Sequence, residues 1–263
     1  MYIRAPNILM FARVYVFIRK KSRNTFFHSS FSKLSVSLHP IMIVSNMNLH
    51  EVYGNLMADK QKIEWKRDAL FPKVAKEMQR QGTYPAWVMY EYMLPSSNNK
   101  YIIYFHTERP YADIIGDYMC VLFDDNKRYI VKRVDTEIPE IHVLTSLFIQ
   151  RYNERFLKQP ELTADEVAVR YLTRNNSMIP MAVDGRINRR IDEYGEYGGE
   201  GFLVADGFCF KKSGEERVNG GEPVRIGLFT TFMPRSEMSD SQREAIFEEC
   251  LRTTGNAEKH GKE

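Results

Sequence analysis

Phe202-Leu203-Val204-Ala205-Asp206-Gly207-Phe208-Cys209-Phe210-Lys211 is the segment from which the fold class is read. Two short apolar and aromatic runs flank Asp206-Gly207, the pair that a two-residue type I′ turn favours because both of its central positions take positive φ. The spacing predicts a β-hairpin with strands over 202–205 and 208–211. Asn219-Gly220-Gly221 then turns the chain into a third strand over 224–233.

Toward the N-terminus the same signal recurs twice. Trp87 to Leu94 and Tyr101 to His106 are rich in aromatic and branched residues and flank Pro95-Ser96-Ser97-Asn98-Asn99, while Tyr118 to Phe123 and Arg128 to Val134 flank Asp124-Asp125-Asn126-Lys127. Elsewhere the period is helical. Leu49, Val52, Tyr53, Leu56, Ile63, Leu70, Val74 and Met78 recur at three- and four-residue steps; Pro72 is expected to divide this run into two helices and Gly82 to end it. Further helices are expected over 145–158, over 163–174, where Thr163 and Glu166 form a capping box, and from Ser239, with Gln242 as its box partner, to about Arg252.

Hairpin-joined strands segregated from helices define an α+β class, with a largely antiparallel sheet of up to seven strands and helices packed on one side. The expected organisation is a non-core basic segment at 1–46, a single α+β domain over 47–252 and a frayed polar tail at 253–263. Residues 1–50 hold seven Lys or Arg and no Asp or Glu, so the remainder is net acidic at −4. Basic, acid-free and Ser-rich, the first 46 residues read as translation from a start upstream of Met47, as an organellar targeting segment, or as a basic arm.

Hydrophobic residues at 43% and charged residues at 27% are ordinary globular values and argue against a disordered chain. No apolar run approaches the roughly 18 residues of a membrane span. The three cysteines, Cys120, Cys209 and Cys250, are too far apart for a metal knuckle and odd in number for a disulfide framework, which points to buried thiols in a reducing, cytoplasmic setting, with an organelle as the alternative.

Catalytic motifs are scarce. The glycines at 194–201 match no phosphate-loop spacing and sit among Asp192, Glu193, Glu196 and Glu200, which would repel phosphate. Asp135, Glu137, Glu140 and His142 offer oxygen ligands and one imidazole, but no second histidine lies nearby, so a solvated acidic linker is expected and neither metal nor cofactor. The aromatic load between Tyr84 and Phe123 is divided by strand alternation between a core face and a sheet surface, and reads as packing and interface. Arg151 and Arg155 lie one turn apart at the edge of the apolar arc formed by Leu144, Phe148, Ile149, Tyr152 and Phe156, where two guanidiniums can clamp phosphate. With Arg186, Arg189 and Arg190 downstream, they form the expected polyanion contact.

Arg151-Tyr152-Asn153-Glu154-Arg155 resembles, over about a dozen residues, the arginine helix of small metal-independent ribonuclease toxins of the RelE and barnase-like class. That resemblance implies an Arg/His site, and Leu147 stands where some of those sequences carry a histidine. His106 and His142 are the imidazoles able to serve as acid and base beside Arg151 or Arg155. Three functions are therefore weighed: a non-catalytic interaction or regulatory protein with a protein partner, a metal-independent ribonuclease or nucleotide-processing enzyme acting on RNA, and an enzyme of unrelated chemistry.

Overall fold

The computed structural model describes residue 43 and residues 47–124, 127–134, 138–182, 200–217 and 222–260. The elements follow as α1 (Leu49–Gln81), β1 (Ala86–Met93), β2 (Lys100–Thr107), β3 (Ile115–Asp124), β4 (Lys127–Val134), β5 (Glu140–Leu144), α2 (Ser146–Tyr152), α3 (Ala164–Arg174), β6 (Ile179–Ala182), β7 (Glu200–Leu203), β8 (Gly207–Glu216), β9 (Val224–Pro234) and α4 (Asp240–His260). The class is α+β. One nine-stranded sheet runs in the order β1-β2-β3-β4-β5-β9-β8-β7-β6, antiparallel throughout except for β5 and β9, which pair in parallel.

Two strands exceed the sequence expectation. β5 occupies the stretch read as an acidic linker, and β6 is a short edge strand containing Pro180, whose missing N–H an edge tolerates. The expectation that helices cover one side is corrected as well. Tyr101, Ile103, Phe105, Cys120 and Val131 point to α1, where Leu56, Ile63, Val74 and Met78 meet them. Ile102, Tyr104, Met119, Val121 and Ile130 point the other way, to Phe148 and Tyr152 of α2 and Val167 and Tyr171 of α3. β2 is buried on both faces because alternate residues serve two cores. α4 adds Ala245 and Ile246 against Met181, Phe208 and Phe210.

α1 is one helix of 33 residues with Pro72 inside it, opened by an Asn48/Glu51 capping box and closed by Gly82 at φ 64°. Pro72 is exposed, so the carbonyl it leaves unpaired faces water, while Ile63 before it and Val74 after it anchor both halves to the same sheet face. The 163–174 box and the Ser239/Gln242 contacts form as expected, and α4 continues to His260. Helix α2 ends at Tyr152 and passes into a π-turn over Asn153–Leu157.

The β7–β8 hairpin turns one residue earlier than its sequence suggests. Val204 and Gly207 exchange backbone hydrogen bonds, so Ala205 and Asp206 form the turn, and neither has positive φ. Gly207 is required for closeness instead: a Cβ there would lie 2.2 Å from the Met233 carbonyl oxygen of β9. The shift points Asp206 inward, where its carboxylate accepts hydrogen bonds from Tyr152 (2.6 Å), Asn175 (2.9 Å) and, in a bidentate fork, Arg174.

Candidate functional site

The sheet is split between two of its central strands. β3 and β4 pair from Asp124↔Lys127 to Cys120↔Val131 and no further. Yet β3 stays paired to β2 as far as Ile115, and β4 to β5 as far as Val134. The two strands therefore part beyond Cys120 and Val131. Continuing the ladder would set Tyr118 opposite Arg133; side chains satisfy the Tyr118 backbone instead. Its N–H donates to Asp117 Oδ1 at 2.7 Å, and its carbonyl accepts from Lys132 Nζ at 3.5 Å. Lys132 also ion-pairs with Asp117 Oδ2 across the gap, and the Tyr104 hydroxyl donates to that same oxygen at 3.3 Å.

The split opens a cavity of about 350 Å³. α1 contributes Leu56, Glu64 and Arg67 to its lining, β2 contributes Tyr101, β3 contributes Tyr118 and Cys120, and β4 contributes Val131 to Val134. Burial, reinforced by Glu64, raises the Tyr118 phenol against the opposing pull of Arg133, which hydrogen-bonds it. Burial pushes the Cys120 thiol up to about 12 and raises the Tyr101 phenol far above its usual value. All three groups hold their protons at neutral pH.

Asp59 of α1 is fully buried and bonded to the cavity-lining Tyr101. Its Oδ2 accepts from Ser97 Oγ (2.7 Å), Asn99 Nδ2 (2.7 Å) and the Tyr101 hydroxyl (2.9 Å), while Oδ1 has no partner among the described residues. Asn99 Oδ1 in turn accepts the N–H of Ile43 at 2.7 Å. Ile43 is thus buried in the α1 core, although it belongs to the segment expected outside it; the rest of 1–46 lies outside the described residues.

The residues singled out from sequence are not gathered in one place. His106 is buried on β2, with Nε2 3.8 Å from Glu108 and Nδ1 without a partner among the described residues. Burial, opposed by Glu108 and Asp117, lowers its imidazole below the ordinary value. His142 is on β5, its Nε2 3.0 Å from Glu140 Oε1 and its ring against Phe202 and Phe229. The hydrogen bond from His142, with Lys211 adding, holds the Glu140 carboxyl below its usual range despite burial. Strands β3 and β4 lie between the two histidines, three interstrand spacings or about 14 Å.

The arginines are engaged elsewhere. Arg151 pairs with Glu154 at 3.0 Å on the surface, and Arg155 donates to the Phe232 carbonyl at 2.8 Å. Phe232 lies five residues along β9 from Gly227, the register partner of His142, which is roughly 16 Å of extended chain. Arg170 stacks over Trp87 at 3.3 Å, and Arg174 forks onto Asp206. Arg186, Arg189 and Arg190 lie outside the described residues, as do Asp135 and Glu137 of the acidic cluster. Among the described residues no group of three or more His, Cys, Asp or Glu is placed to hold a metal ion.

Sequence reasoning missed Asp59, Asp117, Lys132 and Arg133. A signal existed for Asp59, which falls three residues after Leu56 and four before Ile63, on the apolar arc of α1. Asp117 and Lys132 are charges inside strand patterns, but their meeting depends on where a ladder stops. Compared with protein-family models, curated proteins and solved structures, the chain has no match. No helix among the described residues is long and apolar enough to cross a membrane.

Proposed function

We propose that this is a non-catalytic regulatory protein that takes a small-molecule ligand in the cleft between β3 and β4. The observation that carries the reading is the early end of the β3–β4 ladder at Cys120↔Val131, with a cavity of about 350 Å³ beyond it. Concave sites of roughly 300–1,000 Å³ with a few convergent polar groups are the usual form of small-molecule sites. A gap in a sheet costs ladder hydrogen bonds, and here Asp117 and Lys132 replace them without filling the space. Binding is favoured over chemistry because the Cys120, Tyr118 and Tyr101 groups at the cleft are held protonated by burial.

The test is a fragment screen by thermal shift on the full chain beside Val134→Trp, which enlarges a residue of the cavity lining. Val134 lines the cavity and is partly exposed, so a larger side chain there has room at the surface. Ligands that stabilise the wild type and leave the variant unmoved are expected. A diverse library in which no compound separates the two proteins would remove the cleft as a ligand site.

A further inference from the structure

We infer that the cleft selects a small organic anion with a compact apolar body, an inference that rests on the cleft being the ligand site. Three cations and two carboxylates line it: Arg67, Lys132 and Arg133 against Glu64 and Asp117. Asp117 is the better neutralised of the two acids. Its Oδ1 accepts the Tyr118 N–H, and its Oδ2 takes both Lys132 and the Tyr104 hydroxyl. Arg67 comes from α1 and Arg133 from β4, where it also hydrogen-bonds the Tyr118 phenol, so guanidiniums from two elements line one cavity, which suits capture of a carboxylate. Asp68 engages Nε and Nη2 of Arg67 through a single oxygen on an exposed side chain. That pair is weak in water, and a guanidinium carries five N–H donors.

The rest of the cavity is apolar. Leu56, Val131 and the Tyr101 ring would meet a hydrocarbon or aromatic surface. At about 30 Å³ per water-sized atom the volume holds roughly ten non-hydrogen atoms. A ring or short chain bearing one carboxylate fits both the charge and the space.

The experiment titrates benzoate, benzamide and benzylamine, three probes of similar shape and different charge, into the full-length protein. Binding is read by amide chemical shifts in the wild type, Arg67→Gln, Arg133→Gln and Val134→Trp. The expected result is benzoate binding with Kd on the order of 1 mM, shifts centred on Tyr118 to Cys120, and at least fivefold weakening in each arginine variant. Val134→Trp should abolish it, and benzylamine should show no saturable shift. Arg67→Gln alters a partly exposed helix residue, so it keeps the test usable if Arg133→Gln unfolds. Benzamide or benzylamine binding as well as benzoate, and lost in Val134→Trp, overturns the anion inference and leaves the cleft reading standing. Benzoate binding equally to the wild type and Val134→Trp overturns both, and no benzoate binding overturns the inference.

Discussion

Lys132 and Asp117 face each other across the gap between β3 and β4, and together they satisfy the backbone N–H and carbonyl of Tyr118. The pair is therefore a side-chain substitute for a missing rung of the ladder. Asp117→Ala removes the acceptor for the Tyr118 N–H. The expected outcome is faster hydrogen exchange at that amide, by about tenfold, and a stability loss of roughly 1 kcal/mol. Exchange at Cys120, still paired with Val131, should change much less. Equal acceleration at both amides would show that Asp117 has no local role.

Asp59 ties the cleft to the N-terminal side of the fold, since Asn99 links it to Ile43 and Tyr101 links it to the cavity. Asp59→Ala leaves three buried donors without their acceptor. Each orphaned group costs about 1–3 kcal/mol, so a loss of roughly 3 kcal/mol or more is expected in urea unfolding. Ser97→Ala removes one donor and should cost far less. A loss below about 1 kcal/mol for Asp59→Ala would mean that water replaces the carboxylate.

The parts of this fold that were legible in the sequence are those whose chemistry closes within a few residues. Thr163 with Glu166 and Ser239 with Gln242 specify helix starts through their own backbones, and Gly82 takes the left-handed conformation that ends α1. β5 was hidden because Glu140 and His142 look like linker residues until Gly227, far along the chain, supplies a parallel partner and room for the imidazole. Pro72 misled because local propensity carries no information on which side of the helix faces water. The cleft is the extreme case. It exists because β3 follows β2 and β4 follows β5 past the point where they follow each other, a property of four strands at once.

Arg151 and Arg155, one turn apart and alike in sequence, differ in what they hold. Arg155 donates a charged hydrogen bond to the Phe232 carbonyl, whereas Arg151 makes an exposed ion pair with Glu154. Arg155→Ala should cost about 1–2 kcal/mol and Arg151→Ala no more than about 0.5 kcal/mol. Urea midpoints of the single variants decide this. Equal effects would mean that the Phe232 contact contributes nothing.

His106 gives a pH signature. Burial lowers its folded pKa beneath the ordinary 6.5, with Glu108 and Asp117 opposing. A base with a depressed folded pKa is protonated first in the unfolded chain. Its contribution is therefore complete above about pH 6.5 and is lost as pH falls through the lower folded value. An NMR titration should place the His106 midpoint below 6.5, and His106→Phe should flatten the stability slope between about pH 6.5 and 5. A midpoint at or above 6.5 would contradict the assignment.

Asp206 should dominate at more acid pH. Burial alone would raise its carboxyl, but hydrogen bonds from Arg174, Tyr152 and Asn175 outweigh that and hold it below the usual value of 3.8. An acid with a depressed folded pKa contributes stability above its unfolded pKa and loses it as pH falls through the folded value. Tyr152→Phe removes the 2.6 Å hydrogen bond while keeping the ring against Phe232. At pH 7 the variant should be less stable by roughly 1.5–3 kcal/mol, the range for a hydrogen bond to a charged group. That deficit should shrink as the pH is lowered from about 4 toward 2, because the protonated carboxyl no longer rewards the donor. Urea unfolding of both proteins across that range is the measurement. A deficit that stays constant down to pH 2 would place the cost of the substitution in packing and not in the Asp206 carboxylate.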